Sequence, residues 1–413
     1  MSRPKAHPQT LKHLPFFEVL ASAPEGSAEA KLATAGLLAL RMIDHWVLAG
    51  PAIVEPESVS VRSVRQAIMA LPPKEPVRES LLTIVNTMQM LRHVDLVPVL
   101  PRVFAYAQLL ERHHGSMALA ADAYRSIIRL GDVEHDAEVV MDSYYRLAFC
   151  ERKVGALDEA LETSTAMAKL AGRRKDRVRT LRAKMGVAQV AMMRGDWAAA
   201  DSQFVAIAKD AQHHELTREY AMATHNRAVV AARSGNSTDA ILLAHDALQN
   251  TSDPIERDRV LGDLAAMLLI TGRVDAALDA LRILELTAVS EEPRVTARVN
   301  IVAVAVRSGD RALFDSARAN LRDSEMPIEA RINLLAETAR GFEIFGEPAA
   351  ARALKSEAER LAGMHGLEQL LVQHHTAQAN PPAPPRSSVA TDEQDPTYPV
   401  ASSLRMMAAA VAA

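Results

Sequence analysis

Along most of the chain, apolar residues recur three and four positions apart, and a glycine interrupts them at regular intervals. That spacing predicts amphipathic α-helices. In "YYRLAFCERKVG", Tyr144, Leu147, Ala148 and Cys150 fall on one side of such a helix. In "LDEALETSTAMAKLAG", Leu157, Ala160, Leu161, Met167 and Leu170 do the same. The glycines that close these runs are Gly115, Gly155, Gly195, Gly235, Gly272, Gly309 and Gly346, separated by 40, 40, 40, 37, 37 and 37 residues. A fixed period of this size marks a stacked repeat.

Fixed offsets from each glycine sharpen the picture. Five residues after it stand Ala120, Ala160, Ala200, Ala240, Ala277, Phe314 and Ala351. Seven residues before it stand Gln108, Ala148, Ala188, Ala228, Ala265, Val302 and Ala339. Small side chains at both places let two helices joined by a tight turn approach closely. The glycine is expected to end the first helix in a left-handed conformation. Asp196, Asn236 and Asp310 directly follow it and suit the start of the next helix. One helix pair cannot bury its apolar stripe alone, whereas stacked pairs can, as an α-solenoid.

The pattern resembles the tetratricopeptide repeat family. Gly195-Asp196-Trp197 with Ala200 and Phe204 carries the likeness most fully, and Gly235-Asn236 with Ala228, Ala240 and Ala247 repeats it. The likeness covers about residues 99–365. The period of 37–40 points to the longer-repeat branch found in bacterial regulators and kinesin light chains. Phe314 departs from the pattern, because alanine belongs there. The resemblance implies an all-α, right-handed superhelix of about seven helix pairs across residues 98–375, with the first helix of each pair lining a concave groove. It assigns to that groove Tyr145, Phe149 and Arg152, then Arg182, Met185, Gln189 and Met192, then His225, Asn226 and Val229, then Arg259 and Asp263, and finally Asn300. Asn226 and Asn300 occupy the same repeat position. In peptide-binding relatives an asparagine there grips the ligand backbone with its amide N–H and carbonyl. The implied partner is a protein or peptide. The lysine and asparagine pattern of chaperone-binding relatives is absent.

Outside the array the period fails. Residues 10–97 read as a helical N-terminal cap or diverged repeats, broken by Pro51, Pro56, Pro72, Pro73 and Pro76. Residues 1–9 are expected to be disordered. Residues 376–413, rich in Pro, Ala and Ser, are expected to be disordered too. The sharper alternative makes the mildly apolar end, "SLRMMAAAVAA", a short helix docked on the array's groove or on a partner.

Composition and charge add exclusions. The chain is 49% hydrophobic but only 4% aromatic, with a net charge of −4, so nothing suggests whole-surface attraction to nucleic acid or membrane. A single cysteine, Cys150, excludes an internal disulfide or a cysteine-based metal centre and is expected to be a buried, inert thiol. No signal peptide is visible, and the apolar run Leu32–Leu48, with Arg41 and Asp44 inside it, stays below a membrane span. A cytoplasmic protein is expected. The doublets His113-His114, His213-His214 and His374-His375 have the wrong helical spacing for a shared metal. Phosphate-loop and nucleophile-elbow motifs are missing. We therefore expect no metal, cofactor or catalytic residue.

Two stretches bear on nucleic acid. Lys169–Lys184 carries eight basic residues and one acidic one, suited to an acidic partner or a phosphate backbone. Val59–Leu71 resembles the recognition helix of winged-helix repressors, although the prolines on either side disfavour that reading. Nucleic acid is not an expected partner, and the oligomeric state is not legible. The favoured function is a non-catalytic protein- or peptide-binding scaffold or adaptor. The alternatives are a ligand-responsive regulator of bacterial type and, third, an enzyme with a site between repeats.

Overall fold

The computed structural model describes residues 12–113, 116–132, 134–321, 326–365, 367, 370–371 and 395–412. Among these residues there are nineteen α-helices and no strand. The chain divides into two compact units, Met1–Arg194 and Gly195–Ala413.

The first unit contains α1 (Leu14–Ser22), α2 (Ala28–Ala49), α3 (Val59–Met69), α4 (Pro76–Met90), α5 (Leu100–His113), α6 (Met117–Leu130), α7 (Ala137–Lys153), α8 (Leu157–Arg173) and α9 (Arg177–Met193). The second contains α10 (Trp197–His213), α11 (Thr217–Arg233), α12 (Ser237–Gln249), α13 (Pro254–Ile270), α14 (Val274–Thr287), α15 (Glu291–Ser308), α16 (Arg311–Ala319), α17 (Ile328–Ile344), α18 (Pro348–His365) and α19 (Tyr398–Ala412). In chain order α5 to α18 alternate as first and second helices, and within the units six pairs pack together: α5–α6 and α7–α8 in the first, α11–α12, α13–α14, α15–α16 and α17–α18 in the second. The division between the units falls in the turn that joins α9 to α10.

The glycine expectation holds at every described repeat. Gly155, Gly195, Gly235, Gly272, Gly309 and Gly346 have φ between 70° and 83°. Two turns between pairs, α8 to α9 and α10 to α11, reuse the same geometry without a glycine. Lys175 and Glu215 stand there with φ of 57° and 56°. In both kinds of turn the left-handed residue's N–H and the next one reach back to the final carbonyls of the helix. Gly235 donates to Ala232 and Asn236 to Ala231, while Lys175 donates to Gly172 and Asp176 to Ala171. These bonds satisfy the carbonyls that a helix end leaves unpaired. Asp196 and Asp310 then accept from the N–H groups of Ala199 at 3.1 Å and Leu313 at 2.9 Å.

The alanines sit where close approach demands. Each alanine at the two fixed offsets is buried, none more than 5% exposed. Phe314 is the informative departure. It is fully buried, and a Cβ on Gly341 of α17 would fall 2.2 Å from its ring. The bulk that breaks the alanine rule on α16 is therefore matched by an absent side chain on α17. Phe342 and Phe345 close around the ring, with centroids 5.6 and 5.1 Å away.

The predicted cap stretch, 10–97, shares one apolar cluster with α5, α6 and α7, running from Phe16 through Trp46, Met88 and Tyr124 to Cys150. Its central element is α2. This helix is long and apolar enough to cross a membrane, contrary to the expectation for Leu32–Leu48, yet 61% of its apolar window is buried against the chain. That is the environment of a core helix. Asp44, within α2, is buried and ion-paired with Arg129 of α6. His13, just before α1, bridges the same elements: its Nδ1 lies 2.5 Å from Asp122 of α6 and its Nε2 3.3 Å from Asp44. The segment entering α1 is thus tied to α2 and α6 through a buried imidazole.

The C-terminal expectation needs correction. Residues 398–412 are not disordered but form α19, whose Val400 and Leu404 enter an apolar cluster built by α11 to α15. Apolar residues four apart give that helix a face to bury. It packs chiefly on α14 and also on α12. These are second helices of their pairs, whereas the expected groove residues stand on first helices. The rest of the tail, 376–394 and Ala413, lies outside the described residues, as do residues 1–9 and Gly115.

Candidate functional site

The candidate site is taken unit by unit, as the face that the first helices present within each, and ion pairs cross-link those helices. In the first unit, Arg146 of α7 reaches Glu111 of α5, its Nε 2.9 Å from Oε2. Arg179 of α9 grips Asp142 of α7 through both Nε and Nη2, at 2.9 and 3.3 Å. That grip, together with Asp176, raises the Arg179 pKa further above its ordinary value, outweighing the burial that opposes it. In the second unit, His225 of α11 meets Asp263 of α13 at 2.8 Å. Arg218 of α11 meets Asp253, the N-cap of α13, also at 2.8 Å.

The residues expected in the groove divide between the units. In the first, Tyr145 and Phe149 are half-buried on α7, and Arg182 and Gln189 are half-buried on α9. The Phe149 ring lies under the guanidinium of Arg146 and the ammonium of Lys153, 5.1 and 5.7 Å from its centroid. Arg152 is buried, and burial pulls its pKa down.

In the second unit the structure brings His225 and Asp263 into contact. His225 is almost wholly buried, while the side chain of Asp263 is 46% exposed. Asn226 is buried, and its amide Nδ2 donates to the Met222 carbonyl one turn back, at 2.7 Å. A mid-helix asparagine commonly makes this bond to its own helix. Arg259 is exposed and paired with Glu256 on the same helix. Asn300 is half-buried on α15.

Sequence reading missed the bridging partners Glu111, Asp142, Arg146 and Arg179 as a set. A signal was available: the bridged residues lie 35, 37 and 38 apart, close to one repeat. Opposite charges separated by one period on first helices identify such bridges.

The other candidates resolve simply. Among the described residues, no group of three or more His, Cys, Asp or Glu side chains is placed to hold a metal ion. Cys150 is buried, and burial pushes its thiol up to about 11. A cleft of about 380 Å³ is lined by residues of α14 and α15 and by Asn320, Leu321 and Met326. Its carboxylates, Glu285 and Glu291, are both bonded to Arg298 at 3.1 Å, so it offers no unengaged acid–base pair. Val59–Met69 is helical as α3 but buries Val61, Val64 and Ile68. Within Lys169–Lys184, Arg179 is committed to Asp142 and Asp176.

No protein-family model matches the chain, and no curated protein matches it in sequence. Several solved structures are similar in fold. The Rap conjugation gene regulator of the plasmid pLS20, in complex with the Phr* peptide, is 11% identical with a TM-score of 0.49, over 79% of this chain and 96% of that one. A Rap protein complexed with Competence and Sporulation Factor is 12% identical with a TM-score of 0.47, over 84% and 100%. The apo form of RapI is 15% identical with a TM-score of 0.41, over 64% and 99%.

Proposed function

We propose that the chain is a non-catalytic binding protein, and that the first-helix face of its second unit takes up a peptide or an extended protein segment. The observation that carries this reading is the bridge between His225 and Asp263. It joins two neighbouring first helices and still leaves the carboxylate of Asp263 half-exposed. A segment crossing α11, α13 and α15 would find an acceptor in Asp263, a charged donor in Arg259 and a mixed donor and acceptor in Asn300. Such a surface suits a backbone rather than a reacting bond, and a cytoplasmic protein partner fits it.

The same bridge favours a second reading, a ligand-responsive regulator. A ligand that bonds to Asp263 competes with His225 for it, so occupancy is coupled to how α11 and α13 are held together. The test is selection of binding peptides from a displayed library on the full-length chain. Asp263→Arg combined with Asn300→Ala should weaken the selected peptides at least about tenfold, a loss of about 1.4 kcal/mol. Leu404→Asp, on α19, should leave them unchanged. Peptides that bind the Asp263→Arg, Asn300→Ala chain as well as wild type would refute the assignment.

A further inference from the structure

The C-terminal helix is attached to the array in the way a ligand is held. Arg273, at the start of α14, places both terminal nitrogens on the carboxylate of Asp395, at 2.6 and 2.9 Å. The same carboxylate accepts from the N–H and the hydroxyl of Thr397, each at 2.9 Å. Thr397 is itself buried, so the segment entering α19 is fixed by an acid, a hydroxyl and one guanidinium. A two-pronged guanidinium contact specifies orientation as well as charge. Beyond it, Val400 and Leu404 are fully buried, with Ala401, Met407 and Ala408 partly so. The opposite side of the helix, with Tyr398 and Met406, faces solvent.

The helices of the array are held by alanine seams and by short turns to their neighbours. By contrast, no short turn joins α19 to a neighbour: residues 366–397 separate it from α18, and it is held by the Arg273–Asp395 anchor and an apolar stripe. An anchor plus a stripe at i, i+4 and i+7 is the way an amphipathic helix is recognised in a groove.

We infer that the surface formed by α12, α14 and Arg273 is a helix-docking site, with α19 as its resident occupant. The site accepts a partner protein's amphipathic helix of matching order: an acidic residue, a hydroxyl residue two positions later, and branched apolar residues five and nine positions after the acid. It is separate from the first-helix face, and occupation by α19 keeps it closed until a competing helix arrives.

The probe is a labelled synthetic peptide of residues 395–412. It is added to the full-length chain and to a full-length Val400→Asp, Leu404→Asp variant whose own helix is disabled. The peptide should bind the variant at least about tenfold more tightly than wild type, where α19 competes. Adding Arg273→Glu to the variant should lose that binding, and a peptide carrying Asp395→Arg should restore it. Absence of binding to a folded variant, or equal binding to variant and wild type, would overturn the inference. Should the variant not fold, a protease site is introduced into residues 380–385 of the wild-type chain, which is then cut. The released segment should exchange with excess labelled peptide. A segment that never exchanges is a fixed part of the fold, and the inference fails.

Discussion

Replacing Gly341 with alanine tests whether Phe314 fits only because α17 leaves it room. Glycine inside a helix is normally a weakness, and alanine there gains about 1 kcal/mol. Here an added Cβ would meet three ring atoms of Phe314 at 2.2, 2.5 and 3.0 Å. Carbon atoms rest about 3.5–4.0 Å apart, so the ring must retreat by roughly 1.3 Å or more. It has little room to do so, because Phe342, Phe345 and Arg318 enclose it. Overpacking of this kind costs about 1–3 kcal/mol, and more where nothing yields. Subtracting the helix gain leaves a net loss of up to about 2 kcal/mol. Gly262 of α13 supplies the control, since its Cβ would meet nothing closer than Leu284 at 3.8 Å. Alanine at that position should stabilise by up to about 1 kcal/mol. Urea unfolding of the full chain, followed by circular dichroism at the helix band, gives both signs. Phe314→Leu placed on Gly341→Ala should recover part of the loss, because the two sites are coupled. If Gly341→Ala raises the urea midpoint as Gly262→Ala does, the steric account of Phe314 is wrong.

Two further outcomes follow from buried titratable groups. Burial alone would lower the pKa of His13, but its hydrogen bonds to Asp122 and Asp44, with the charges of both, raise it above the ordinary value. A group with a raised folded pKa contributes fully below its unfolded pKa, about 6.5, and loses that contribution as pH rises through the folded value. His13→Ala should therefore lower the melting temperature most near pH 6, by the equivalent of about 3 kcal/mol, and less at alkaline pH. A gap between the two melting curves that does not change with pH would contradict this. Cys150, with its thiol raised to about 11 and its side chain fully buried, should resist maleimide at neutral pH. Labelling of the native chain should run about a hundredfold slower than labelling of the unfolded chain. Rapid native labelling would contradict the burial.

The array was legible because its constraints are local and repeated. Gly195, Gly235 and the alanines that flank them state the turn and the close approach in residue identity alone. The turns at Lys175 and Glu215 were not legible, since neither residue advertises a left-handed backbone. The helix at 398–412 was obscured by the proline-rich stretch before it, and its anchor, Arg273, lies far away in sequence. On the first-helix face, His225 and Asp263 were assigned to one surface and do meet, because one repeat separates them. Asn226 illustrates the limit of such reading: its repeat position was clear, but the bond to Met222 depends on a rotamer that no spacing specifies.

From α7 to α11, five successive helices have 17 residues each, and three-residue turns join them. Helix and turn lengths in the middle of the chain therefore repeat without change. Excising forty residues there would rejoin like to like, whereas excising twenty would set a second helix where a first one belongs and throw the small-residue positions out of step.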